Sequence, residues 1–166
     1  MSEETLRRQL YDSFKNRARI YHLIFDELRR ELGAAAAEAI LQRAIYRRGV
    51  EIGEAKFSQF APSDMAGLEA AFLDGIPDEG RMFRPEMLHS GAKAVDIKFH
   101  ACPLREAWQE MGLSDEEVAT LCRIAARIDN GTFEGAGFGF FADTWQPGGE
   151  GCCCLHIRLK GDDQLP

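Results

Sequence analysis

Apolar positions along the first third of the chain recur at spacings of three and four: Leu6, Leu10, Phe14, Tyr21, Ile24, Phe25, Leu28 and Leu32. This period predicts a long amphipathic helix from Glu3 to Leu32, ended by Gly33 and weakest near Lys15-Asn16. A second helix is expected from Ala34 to Val50, where Ala34 to Ala37 allow close approach and Ile40, Leu41, Ala44 and Ile45 form the inward stripe. The two should make an antiparallel hairpin. Residues 53–63 (GEAKFSQFAPS) carry turn formers around two phenylalanines and read as a loop tucked onto the core. Ser63 or Asp64 then caps a short helix to Leu73.

At Arg81 the period changes to two. A strand over Arg81 to Ser90 turns through Gly91-Ala92-Lys93 into a second, where Val95, Ile97, Phe99 and Ala101 alternate with Asp96, Lys98, His100 and Cys102. Pro103 closes that strand and suits the first turn of a helix running to Met111, which Gly112 ends. Ser114-Asp115-Glu116-Glu117 is a capping box opening a helix to Ile128, with Asn130-Gly131-Thr132 read as the turn after it. Alternation over Gly135 to Trp145 and again over Cys152 to Leu159, about a Gln146-Pro147-Gly148-Gly149 turn, predicts a second hairpin. Gly161 to Pro166 are expected to fray. The order implies an α+β fold, with an N-terminal helical hairpin (3–52) and further helices on a four-stranded antiparallel sheet of two hairpins (81–160), in one domain over 1–166.

Composition fits that reading: 45% hydrophobic and 28% charged residues are ordinary for a globular chain. The formal charge of −7 is uneven, with ten Lys/Arg against seven Asp/Glu over 1–50 and ten against twenty over 51–166. Nucleic-acid binding is therefore not expected, and the N-terminal arginines read as solvated helix faces. No apolar run approaches a membrane span, and five cysteines, three of them consecutive, suit free thiols in the cytoplasm.

Chemistry collects on the two inner strands. In GCCCLHIRL, Cys152, Cys154, His156 and Arg158 share one face, and Cys153, Leu155, Ile157 and Leu159 the other. If this strand neighbours the one carrying Asp96, Lys98, His100 and Cys102, thiols and imidazoles converge. His100, Cys102, Cys154 and His156, with Cys152 as a further donor, then form a set suited to zinc. Cys102, before a helix start, is the candidate nucleophile, with His100, His156, Asp96 or Asp129 as base or orienter. Asp129 at a helix C-terminus opposes the helix dipole, a misfit that fits either a functional role or the Asn130-Gly131 turn beside it. Phe138, Phe140, Phe141 and Trp145 could wall a pocket. Cys122 and Cys153 read as core.

The series RARIYHLIFDELRRELGAAAAEAILQRAIYRRG, Cys102-Pro103 followed by a helix and Gly112-Leu113, Leu121-Cys122, and G-x-G-C-C-x-L-x-I from Gly149 resembles the bacterial L-2-amino-thiazoline-4-carboxylic acid hydrolase-like family. The resemblance spans Arg17 to about Leu159. It implies a ring-opening hydrolase for a cyclic amidine-like thiazoline on a route to cysteine, with Cys102, Cys122 and Cys153 at motif positions and Lys98 or Arg158 as the partner of the substrate carboxylate. The helix and hairpin order is also similar to vinyl-reductase-type and TRAPP-like domains. The alternative class is a non-catalytic small-molecule-binding or scaffold domain, homodimeric through its N-terminal helices.

Overall fold

In the computed structural model, which describes residues 2–161, helix α1 runs unbroken from Glu3 to Leu32 and α2 from Ala34 to Lys56. Ser2 caps α1 by accepting from the Thr5 N–H, and the Gly33 N–H closes its other end on the Arg29 carbonyl. Helix α2 continues beyond Val50, so the loop expected at 53 starts only after Lys56. Its last turn places Gly53 against another helix and delivers buried Phe57 against Phe72 and Phe133. Asp64 caps α3 (Met65–Asp74) through the Gly67 N–H at 2.9 Å.

Strand β1 (Pro85–Ser90) starts four residues later than the alternation suggests. Residues 78–84 instead form turns, in which Asp78 accepts from Arg7 and Arg81, and Asp78, Glu79 and Arg84 take positive φ. Strand β2 (Ala94–Phe99) buries Val95, Ile97 and Phe99 as the period of two requires. Helix α4 (Pro103–Glu110) begins at Pro103 and is pinned to α1 by the buried Trp108 indole, which donates to the Ala18 carbonyl at 2.8 Å. Helix α5 (Asp115–Ala125) opens on the predicted capping box, both of whose hydrogen bonds form.

The expected helix to Ile128 breaks at Ala126, and a separate helix, α6 (Arg127–Gly135), contains the Asn130-Gly131 pair read as a turn. The cause is tertiary. Gly49 and Gly53 on α2 face Gly131 and Gly135 on α6, so the two backbones touch. A Cβ on Gly131 would fall on the Tyr46 carbonyl oxygen, and one on Gly49 on that of Ile128. Such an approach needs residues without a side chain, and packing here overrides the turn preference of Asn-Gly.

Strands β3 (Gly139–Asp143) and β4 (Cys154–Arg158) complete a four-stranded antiparallel sheet in the order β1-β2-β4-β3. Both are shorter than the alternation implied: 135–136 belong to the end of α6, and Cys152-Cys153 precede β4 across a bend. Of the C-terminal residues expected to fray, 162–166 lie outside the described residues. Two hydrophobic clusters form. One joins α1, α2, α4 and α5 around Phe25, Trp108, Leu121 and Ile124, and the other joins the sheet's inner face to α3 and α6 around Leu68, Ile97, Phe133 and Leu155. Cys102 packs against both.

Gly131→Ala should expose the crossing. In an open helix this change stabilises by about 1 kcal/mol, whereas here the added methyl should cost about 2 kcal/mol net or more, read as a lower midpoint in urea denaturation. A midpoint at or above the parent's would mean that α2 and α6 do not touch at these glycines.

Candidate functional site

The predicted neighbourhood of the two reactive strands exists. Strand β2 pairs with β4, placing Asp96 opposite His156 and Lys98 opposite Cys154, while β3 places Phe141 opposite His156 and Asp143 opposite Cys154. These side chains lie on the sheet face turned away from the apolar cluster. There His156 bridges two carboxylates, Nδ1 to Asp96 Oδ1 at 2.7 Å and Nε2 to Asp143 Oδ2 at 3.0 Å, and stacks on Phe141 at 4.2 Å between centroids. Arg158 donates to the same Asp96 oxygen at 2.7 Å. Burial works against the Asp96 charge, but the hydrogen bonds from Arg158 and His156 outweigh it and hold the carboxyl below its ordinary value. Lys98 Nζ donates to the Cys152 carbonyl at 3.0 Å. Each charge on this face is answered by a neighbour across the strands.

The set named for zinc is not brought together. His100 is exposed beyond the end of β2, its Nε2 2.6 Å from Glu86 Oε2. Cys154 and His156 stand on the outer sheet face, and Cys102 points to the inner side, where it joins both clusters. Among the described residues no three His, Cys, Asp or Glu side chains are grouped to hold a metal ion. Period-two alternation misleads at Cys152 because that residue lies outside β4. Gly151 takes a positive φ, and Cys152 N donates to Phe99 O at 2.8 Å, which turns its side chain inward. Trp145 is also buried, its indole donating to the Gly149 carbonyl.

Where the two clusters meet they leave a cavity of about 450 Å³. Phe14, Leu104 and Trp108 wall it on the helical side, and Phe57, Phe72 and Phe99 on the sheet side. Four of the five cysteines line it: Cys102, Cys122, Cys152 and Cys153. Cys102 stands at the N-cap of α4 as expected, and the N–H groups of Leu104 and Arg105 favour its thiolate. The hydrogen bond with Cys152 and burial outweigh them and raise it well above the ordinary thiol value. Cys152 is drawn down by Cys102, yet Cys153, 3.6 Å away between sulfurs, and burial leave it at about 12. Burial likewise pushes Cys122 up. These are thiols at neutral pH, not resting thiolates.

Asp129 lines the same cavity. It lies in the first turn of α6, not at the end of a helix, so the dipole there favours its charge. Burial nevertheless dominates: the carboxyl makes no hydrogen bond among the described residues, and its pKa is pushed up to about 7, with Arg17 opposing only in part. The Arg17 guanidinium rests on the Phe14 ring at 4.5 Å and also lines the cavity. Of the catalytic candidates, Cys102 and Asp129 therefore share one cavity, and His100 stands apart. Of the substrate-binding candidates, Lys98, Arg158 and Phe141 lie on the outer face and Trp145 in the helical cluster. The sequence reading missed Arg17 and Cys152 as cavity residues, and the phenylalanines from three separate elements that enclose them. The GxxxG spacings at 49–53 and 131–135 were the available signal for the crossing that places Asp129.

The family model for L-2-amino-thiazoline-4-carboxylic acid hydrolase matches residues 13–157. No curated protein matches the chain. A solved structure with the same fold is the phenol-responsive sensory domain of the transcription activator PoxR with phenol, 15% identical, with a TM-score of 0.54 over 88% of this chain and 76% of that one.

The buried carboxyl makes stability depend on pH. Between its ordinary pKa of 3.8 and about 7 the folded chain keeps a proton that the unfolded chain has lost, so stability falls as pH rises through that window and levels off above it. Asp129→Asn should remove that slope. Its unfolding free energy should exceed the parent's by about 2 kcal/mol at pH 8, with the difference shrinking towards pH 4, measured by denaturation at several pH values. An offset that does not change with pH would exclude Asp129 as the titrating group.

Proposed function

The chain belongs to the L-2-amino-thiazoline-4-carboxylic acid hydrolase family, and on that premise we propose that it is a hydrolase that opens a cyclic amidine-like ring inside the cavity between its two clusters, with Asp129 moving the proton. The observation that carries this reading is the Asp129 carboxyl. It is unpaired, it lines the cavity, and its pKa of about 7 lets it both take and return a proton near neutral pH.

In the proposed reaction the Asp129 carboxylate accepts a proton from a water molecule as the water oxygen bonds to the ring carbon between nitrogen and sulfur. The carbon–nitrogen double bond becomes single and its electron pair moves to nitrogen. Protonated Asp129 gives its proton to that nitrogen and, again a carboxylate, accepts the proton of the added hydroxyl as the carbon–oxygen double bond forms and the ring carbon–heteroatom bond breaks. It returns this proton to the departing heteroatom, so the ring opens with net addition of one water. Cys102, protonated at rest, is placed as a hydrogen-bond donor to the ring and not as the attacking group. Arg17 supplies the positive charge for a substrate carboxylate. The apolar walls exclude bulk water and strengthen each of these interactions.

A second reading, retention of a small apolar ligand without turnover, is favoured by the aromatic lining and by the fold shared with a domain solved with phenol.

The two readings part on turnover. Purified protein incubated with 2-amino-thiazoline-4-carboxylate and analysed by chromatography should yield a ring-opened product. The rate should rise as pH passes upward through about 7, because the base acts ionised. Asp129→Asn should lower kcat by about 100-fold or more while the protein remains folded. Undiminished turnover in that variant would remove the carboxylate from the mechanism. Ligand-induced quenching of tryptophan fluorescence without any product would favour the binding reading.

A further inference from the structure

On the surface away from the cavity, α2 and the start of α6 flank an open cleft of about 410 Å³ lined by Ala39, Gln42, Arg43, Tyr46, Arg47 and Arg127. Arg43 and Arg47 lie one turn apart on α2 and are exposed. Arg127 begins α6, with its guanidinium carbon 5.2 Å from the centre of the Tyr46 ring.

Elsewhere in this acidic chain, arginines 7, 29, 30, 48, 81, 123 and 158 each hold a carboxylate, and the remaining unpaired arginines, 8, 17, 19, 84 and 105, do not line this cleft. Around this cleft none of the three arginines has an ion pair among the described residues. The nearby acids are committed to other groups: Glu38 meets Arg123 and accepts from Gln42, and Glu134 accepts from the Tyr46 hydroxyl at 2.7 Å and from Asn130. The Arg127 guanidinium lies over the Tyr46 ring and makes no side-chain hydrogen bond among the described residues.

Three unpaired guanidiniums facing one concavity match an oxyanion carrying two or more charges, because planar forks bind phosphate oxygens two at a time. We propose that this cleft is a binding site for a pyrophosphate-like group, distinct from the cavity that holds Asp129. Its source is either free pyrophosphate or the phosphate chain of a nucleotide. A flat basic surface would suit extended nucleic acid, whereas a recess of this size between two helices suits a compact anion.

The test is isothermal titration of the full chain with inorganic pyrophosphate, and in parallel with ATP, AMP and sulfate at matched ionic strength. Saturable one-to-one binding of pyrophosphate, weakening as salt rises, is expected, with AMP and sulfate at least about tenfold weaker because they bring fewer oxygens to the forks. Equal affinity for pyrophosphate and ATP would identify the free anion as sufficient, and tighter binding of ATP would identify a nucleotide. Arg43→Gln with Arg47→Gln should weaken pyrophosphate by about tenfold or more, and Arg127→Lys, which keeps the charge but loses the fork, by several-fold. Absence of saturable binding would overturn the proposal. So would unchanged affinity in both variants, or binding of duplex DNA without binding of pyrophosphate.

Discussion

The contact on which the rest of this structure depends is the crossing of α2 and α6, where two glycine pairs at helical spacing allow the backbones to meet. Interiors are packed too densely for this approach to be adjusted by small shifts, so the crossing sets where α6 starts and which way its first turn faces. That turn holds Arg127 on the outer side and Asp129 on the inner side, only two residues apart. One helix start thereby supplies a cation to a surface cleft and an acid to a buried cavity.

The cavity itself follows from having two hydrophobic clusters instead of one. The helical cluster and the sheet cluster each close tightly around their own aromatic residues, and the space between them is bounded by side chains from all six helices, by Phe99 at the end of β2 and by Cys152 and Cys153 before β4. Burial there acts in the same direction on Cys102, Cys122, Cys152 and Asp129: it favours the protonated form of each. For the cysteines this means low reactivity at rest. For Asp129, whose ordinary value is far lower, the same effect moves the proton equilibrium to about 7, where a group can work in both directions. Burial thus quiets Cys102, Cys122 and Cys152 and activates one carboxyl.

The outer sheet face shows the opposite arrangement. Asp96, His156, Asp143 and Arg158 satisfy one another across three strands, and Phe141 covers the imidazole. Cross-strand pairs of this kind hold register and stabilise the sheet. The alternation that singled out these residues was accurate about their shared face, and that face turned out to be internally satisfied, with the cavity on the other.

Much of the fold is legible in the chain itself, because helix and strand periods, the Ser114 capping box, the Asp64 cap and the Pro103 helix start are local signals with local causes. The pairing of the two reactive strands is legible for the same reason: alternation assigns each side chain to a face. What the sequence by itself determined is which segments are helices and strands and which of their faces are apolar. Only the tertiary structure decided that Asn130-Gly131 sits inside a helix, that Cys152 turns inward at a bend, and that Asp129 opens a helix against a cavity. Each of these depends on contact between residues distant in the chain, and such contact selects among local conformations whose own preferences differ by only about 1 kcal/mol.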